Sequence, residues 1–406
     1  MKVTITPKHL CGEVKAPPSK SMGHRMLICA GLCQGDSVVR GISDSEDMKA
    51  TLDLLSCMGA TYVKEGDVVY IHGTDPRSSH PKTLLNCREC GSTLRFFIPL
   101  CLLSDAPMTL TGSPRLMERP LGVYEKLCDE QGLLWERNSQ DHTLTVGGRL
   151  RGGDMILRGD VSSQFITGLL LALPLCDEDS VLHILPPLES RPYIDLTLSA
   201  LATFGVVAAW QDDLTLHIQG GQSYKATHTQ VEGDFSNTAF FDALALIGHD
   251  VRVTDLPQNS LQGDRVYRDF YPQLKAGRPT LDISDCPDLG PVLMALSGAL
   301  HGATLTGTRR LRIKESDRGV AMAQELAKFG VSVDVAEDTI VVSSEGFHAP
   351  REPLSGHNDH RIVMALCTLL TMTGGEIEGA EAVRKSLPDY FDLLMHLGCE
   401  VKIHET

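Results

Sequence analysis

Long apolar runs are missing from this sequence. The longest, from Ile166 to Leu175, falls well short of the roughly 20 residues that a membrane-spanning helix needs. The opening residues, Met1-Lys2-Val3-Thr4-Ile5, alternate like a strand and carry neither a signal-peptide apolar run nor an Arg/Ser-rich transit stretch. A cytoplasmic protein with no membrane partner is expected. Basic charge is also short: 37 Lys and Arg stand against 52 Asp and Glu, a formal net charge of −15. That balance argues against a nucleic-acid partner, which would require a dense basic surface. It leaves room for a few clustered cations that hold a small anion. The 12 cysteines are scattered and show no Cys/His spacing typical of zinc, so reduced thiols are expected rather than a metal site or a disulfide framework. No segment is polar or repetitive enough for disorder, and no Gly/Ser- or Pro-rich linker separates the halves.

What is present is a repeated α/β pattern. With 406 residues the chain exceeds what one hydrophobic core usually serves, and two domains are expected. Leu55/Gly59, Leu201/Gly205, Leu326/Gly330 and Leu394/Gly398 each read as an amphipathic helix ending in Leu-x-x-x-Gly. Glycine there suits the left-handed residue that stops a helix. Alternating residues follow, as in Val331-Ser332-Val333-Asp334-Val335, and Glu65-Gly66-Asp67 supplies a hairpin turn before Val68. Four copies point to a repeated unit whose sheets need neighbours to cover them. Chain crossings are placed at Lys15-Ala16-Pro17-Pro18 and Val231-Glu232-Gly233.

Several polar groups sit at expected helix starts, where free N–H groups and the helix dipole favour anions. Pro17-Pro18-Ser19-Lys20-Ser21-Met22-Gly23-His24-Arg25 leads into an apolar helix and lacks the glycine of a Walker loop. Gly91, in Cys90-Gly91-Ser92-Thr93-Leu94-Arg95, admits a ligand close to the backbone. Arg115 and Arg119 lie in a proline-held loop, and Ser162-Ser163-Gln164 opens another apolar helix, where capping and ligand binding weigh equally. Lys314, Glu315 and Arg318 make an anion site with an acid/base pair, or a salt-bridged surface helix. His357 and His360 lack a third metal ligand, so His360-Arg361 suits an anion better. Lys385 precedes the last helix.

Taken in order, these segments resemble the EPSP synthase family from end to end. The resemblance rests on Pro-Ser-Lys-Ser at 18–21, Gly-Ser-Thr-Leu-Arg at 91–95, Glu-Arg-Pro at 118–120, Ser-Ser-Gln at 162–164 and Arg-Pro-Tyr-Ile-Asp at 191–195. It continues through Glu-Gly-Asp at 232–234, Pro-Asp at 287–288, Lys-Glu-Ser-Asp-Arg at 314–318, Asn-Asp-His-Arg at 358–361 and Pro-Asp-Tyr-Phe at 388–391. It implies an α/β fold of two globular domains, each of three βαβαββ repeats, the inside-out α/β barrel of enolpyruvyl transferases. Residues 1–18 with 232–406 would form one domain and 19–231 the other, with the active site in the cleft between them.

The same resemblance implies transfer of the enolpyruvyl group of phosphoenolpyruvate to shikimate 3-phosphate by addition and elimination. Lys20, Ser21, Arg25, Ser162, Ser163, Gln164, Ser190, Tyr193, Asp288 and Lys314 would contact shikimate 3-phosphate. Lys20, Gly91, Arg119, Gln164, Arg318, His360, Arg361 and Lys385 would hold phosphoenolpyruvate. Asp288, Glu315 and Lys20 would move protons, in a monomer without a metal or organic cofactor. Glu89 and Arg310 depart from residues common in the family, and Arg191 stands where Lys is also used. A UDP-N-acetylglucosamine enolpyruvyl transferase is the rival, disfavoured because loop 112–120 has no cysteine. Gly91 leaves room where glyphosate-tolerant members often have Ala, so sensitivity to glyphosate is expected.

Overall fold

The structure is a computed structural model that describes residues 1–81 and 83–404. Two compact units divide the chain. One is Lys20–Glu232; the other joins Met1–Ser19 to the chain from Gly233 onward. No helix among the described residues is long and apolar enough to cross a membrane.

The first unit contains helices α1 (Lys20–Gly31), α2 (Glu46–Cys57), α3 (Gly91–Cys101), α4 (Pro114–Glu118), α5 (Gly122–Gln131), α6 (Ser163–Ala172) and α7 (Arg191–Thr203). Its strands form three four-stranded sheets of one design. In the middle copy, Leu85–Asn86 runs parallel to Met108–Thr111, and the hairpin Leu134–Asn138/Thr143–Gly147 adds antiparallel to the second strand. Gly153–Arg158, Ser180–Leu185 and the hairpin Ala208–Trp210/Thr215–Ile218 repeat it. In the remaining copy the first strand, His228–Gln230, comes from the far end of the unit to pair with Asp36–Arg40.

The second unit contains α8 (Phe235–Leu246), α9 (Tyr267–Ala276), α10 (Gly290–Ala299), α11 (Arg318–Lys328), α12 (His360–Thr373) and α13 (Tyr390–His396). Thr280–Asp282, Ala303–Thr306 and the hairpin Val333–Val335/Thr339–Val342 form a complete copy. Another is closed by Lys2–Thr6, inserted between Gly375–Glu378 and Glu400–His404. The expectation of three full repeats fails in the third copy. There Cys11–Lys15 and Asp250–Thr254 form a two-stranded parallel sheet, and α9 leads within three residues into Thr280–Asp282. So short a connection has no length for a hairpin.

Helix ends follow the glycine signal and extend it. Ala60, Val206, Val331 and Cys399 each donate N–H to the carbonyl five residues back (Leu55, Leu201, Leu326, Leu394) at 2.9–3.1 Å, while the glycine between has φ from +74° to +112°. This is the Schellman closure, in which the left-handed residue turns the next N–H onto a free carbonyl. Two further copies, beyond the four expected, close in the same way at Gly132 and Gly248 (Leu133 to Cys128, 2.8 Å; His249 to Leu244, 3.0 Å). Each unit therefore carries three.

Helices α1, α3 and α6, and in the other unit α8, α10 and α12, are buried nearly all round. A helix apolar on every side must sit inside its unit, with the sheets and the more polar helices around it. Each fully buried leucine of this interior, such as Leu169 or Leu293, stabilises by about 1.5–3 kcal/mol.

Candidate active site

In the Lys20–Glu232 unit, residues marked as anion-holding open α1, α3, α6 and α7, and side-chain bonds tie these ends together. Gln164 Nε2 donates to Ser92 Oγ (3.0 Å), and its Oε1 accepts from Arg95 Nη1 (2.6 Å), which joins α6 to α3. Ser162 caps α6, its Oγ accepting the Gln164 N–H at 3.3 Å. Ser163 is the first residue of that helix. Gly91 lies against Arg119: a Cβ on it would stand 2.5 Å from Arg119 Nη1. Only a residue without a side chain lets the guanidinium take that place. Lys20 Nζ donates to Asp47 Oδ2 at 2.9 Å, a partner not named from the sequence. Asp47 lies beside Glu46 in the first turn of α2, where either carboxylate suits the dipole, so no local signal separates them.

Arg25 faces inward. Its Nε donates to Thr197 Oγ1 (2.9 Å), Nη1 to the Ser21 carbonyl (2.6 Å), and Nη2 to Thr167 Oγ1 (3.3 Å) and the Tyr193 carbonyl (2.9 Å). The guanidinium also stands 5.3 Å from the centre of the Phe96 ring. Burial pulls its pKa down to about 10. Arg25, Ser21 and Tyr193 are thus brought together, with Ser21 and Tyr193 engaged through their backbone carbonyls. Ser190, buried at the start of α7, holds φ at +58°, a conformation that serine adopts rarely.

In the second unit, three helix starts meet on one carboxylate. Asp288, just before α10, has Oδ1 at 2.8 Å from Arg318 Nη1 and 3.3 Å from Lys314 Nζ, and Oδ2 at 3.0 Å from Arg361 Nη2. Arg318 opens α11 and is 1% exposed; it also reaches Glu315 Oε2 (2.8 Å) and Asp359 Oδ2 (2.9 Å). Asp359 caps α12, accepting the Arg361 N–H at 3.0 Å, and accepts from Ser316 Oγ at 3.0 Å. Lys385 Nζ donates to the Asn358 carbonyl at 2.5 Å, and His360 is buried at the start of α12.

Burial alone would lower the Arg318 pKa, but the Asp359, Glu315 and Asp288 carboxylates outweigh it and raise it. Burial lowers Lys314 to about 8, against the pull of Asp288. Asp264, another residue not named from the sequence, is raised to about 6 by burial and then by Asp288, with Arg361 opposing.

Other marked residues take partners of their own. Arg310 is buried and donates to the Ser284 carbonyl. His357 pairs with Glu325 (2.8 Å), which also binds Lys328 (2.9 Å), so it shares no ligand position with His360. The cysteines were expected to include no Cys-x-x-Cys pair, and Cys87-Arg88-Glu89-Cys90 corrects that expectation. Both cysteines are free and buried, and Cys90 Sγ caps α3 by accepting the Thr93 N–H at 3.4 Å.

The architecture is that of the enolpyruvyl transferases. EPSP synthase from Acinetobacter baumannii matches with a TM-score of 0.78 at 22% identity, over 99% of this chain and 100% of that one. The enolpyruvyl transferase NikO from Streptomyces tendae matches with 0.78 at 13% identity, over 99% and 98%. At such identities the likeness defines the fold alone. Sequence carries it further. The model of the EPSP synthase (3-phosphoshikimate 1-carboxyvinyltransferase) family matches residues 5–394. The 3-phosphoshikimate 1-carboxyvinyltransferases of Clostridium kluyveri and Clostridium perfringens are 39% and 36% identical to this chain, each over 98% of both sequences. The chain belongs to the EPSP synthase family.

Proposed function

We propose that this enzyme transfers the enolpyruvyl group of phosphoenolpyruvate to the 5-hydroxyl of shikimate 3-phosphate and releases phosphate, a step of the shikimate pathway toward chorismate and the aromatic amino acids. Beyond family membership, the supporting observation is the Asp288 carboxylate, met by Lys314, Arg318 and Arg361 with Glu315 on the same arginine. A base and an acid/base partner thereby stand among cations suited to phosphate and carboxylate groups.

In the addition, Asp288 accepts the hydroxyl proton as that oxygen bonds to C2 of phosphoenolpyruvate, and a proton is delivered to the methylene carbon. The product is a tetrahedral adduct that still carries phosphate. In the elimination, the C–O bond to phosphate breaks, the methyl carbon loses a proton and the double bond re-forms. Lys20 and Glu315 are assigned to these transfers. An anion bound beside Lys314 and Arg361 draws on the cations that hold Asp288, and the carboxylate becomes a better base as substrate arrives.

The test is phosphate release from purified protein given phosphoenolpyruvate with either shikimate 3-phosphate or UDP-N-acetylglucosamine. Turnover with the first acceptor is expected; turnover with the second alone overturns the reading. In the same assay Asp288→Asn should bind substrate within a few-fold of normal and lose about 10²–10⁴ in kcat. Near-normal kcat would remove Asp288 from its role as base.

A further inference from the structure

His24, Asp47 and Cys90 bring a ring nitrogen, a carboxylate oxygen and a sulfur within 4.8 Å of one another, all three residues buried in the Lys20–Glu232 unit. We propose that they form a site for a thiophilic divalent cation of the zinc or cadmium type, and that filling it draws Asp47 away from Lys20.

His24 Nε2 stands 3.7 Å from Cys90 Sγ. Zinc binds nitrogen at about 2.0–2.1 Å and thiolate sulfur at about 2.3 Å, which at a tetrahedral angle sets the two donors roughly 3.6 Å apart. The nitrogen and sulfur therefore accept an ion with little movement of those two groups, and the Asp47 carboxylate lies within 4.8 Å to close on it. The other ring nitrogen, Nδ1, is 2.8 Å from Thr51 Oγ1, which is 2.9 Å from Thr93 Oγ1. With Nδ1–H donating to Thr51 and Thr51 donating to Thr93, the lone pair of Nε2 faces Cys90. Metal-binding histidines are held in this way by an outer hydrogen bond. The donor set of nitrogen, oxygen and sulfur suits zinc, and three protein ligands leave the fourth position to water. Binding exchanges the Cys90 thiol proton for the metal, and that proton leaves to solvent.

The consequence for activity rests on the proposed role of Lys20. Its ammonium and the metal draw on one carboxylate, whose Oδ2 is 2.9 Å from Lys20 Nζ, and a cation bound to that group weakens its hold on the ammonium. A cation in this site also places positive charge beside Lys20. Both effects remove Lys20 from its normal geometry, and the metal inhibits.

The test uses reduced full-length protein in a Cys11→Ser/Cys57→Ser background, which removes the two exposed thiols. Cadmium is titrated while thiolate-to-cadmium charge-transfer absorption is recorded, and zinc is titrated while phosphate release is measured. One cadmium per chain is expected, with its absorption lost in Cys90→Ser and in His24→Asn. Zinc inhibition should be reversed by chelator and weakened by at least about tenfold in Cys90→Ser, which retains turnover without metal and a side chain able to cap α3. Cadmium absorption unchanged in Cys90→Ser overturns the site. Absorption that depends on Cys90 without zinc inhibition overturns the competition with Lys20. Absence of any turnover with shikimate 3-phosphate refutes the function reading, and the cadmium titration still decides the site.

Discussion

Around Asp288, Lys314, Arg318 and Arg361 each have a carboxylate oxygen within 3.3 Å, whereas Arg25 in the other unit is held by hydroxyl and carbonyl oxygens. The first arrangement is close to neutral and keeps carboxylates beside cations, as the proposed proton transfers require. The second satisfies the hydrogen bonds of a cation without cancelling its charge, and so leaves a positive field, as the proposed binding of a phosphate requires. Similar residue types at similar helix starts are thus set for different work by what faces them.

Removing one cation from each cluster tests this contrast most strongly. Arg318→Met removes the cation paired with the fully buried Asp359 and with Glu315, and should cost about 3–5 kcal/mol. Arg25→Met leaves neutral acceptors, of which Thr167 and Thr197 already bond each other at 2.9 Å, and should cost about 1–3 kcal/mol. Equal losses of melting temperature would break the comparison. A tenfold effect is expected at Gly91. In Gly91→Ala the new methyl meets the far end of the Arg119 side chain, so the guanidinium shifts while the fold holds. The KM for phosphoenolpyruvate should rise about tenfold, equivalent to roughly 1.4 kcal/mol. Inhibition by glyphosate, expected for the unchanged protein below millimolar concentration, should weaken alongside. Unchanged kinetics would mean that Arg119 holds no substrate anion.

The smallest effect concerns pH. Lys314, with its pKa lowered to about 8 by burial, is charged below that pH and loses its proton as pH rises through it. The KM for shikimate 3-phosphate should therefore climb about fivefold between pH 7 and about 8.7. Lys314→Arg, charged throughout, should flatten the climb; a profile that arginine leaves untouched would assign it to another group.

Much of this was legible in the chain. The glycine after a leucine repeat located four of six helix ends, because a Schellman closure involves residues only five apart. Gly132 departs from that pattern because Cys128 stands where the others have leucine, whereas Gly248, four residues after Leu244, fits it. The absent hairpin also leaves a trace, since only Gly277-Arg278-Pro279 separates α9 from the next strand. The ordered motifs identified the family and most cluster members. Asp47, Arg95, Asp264 and Asp359 were not named as site residues, although Asp359, a polar residue before an apolar run, carries a readable capping signal.

What the sequence determined by itself is what short-range chemistry sets: where helices stop, which residues open them, and the family to which their order belongs. The partners of those residues came from the tertiary structure. Lys20 meets Asp47, Gly91 accommodates Arg119, and Arg318 meets both Asp288 and Asp359, because packed helices bring together helix ends that lie 27 to 41 residues apart. An ion pair depends on distance in space and on burial, and neither quantity is written in the local sequence.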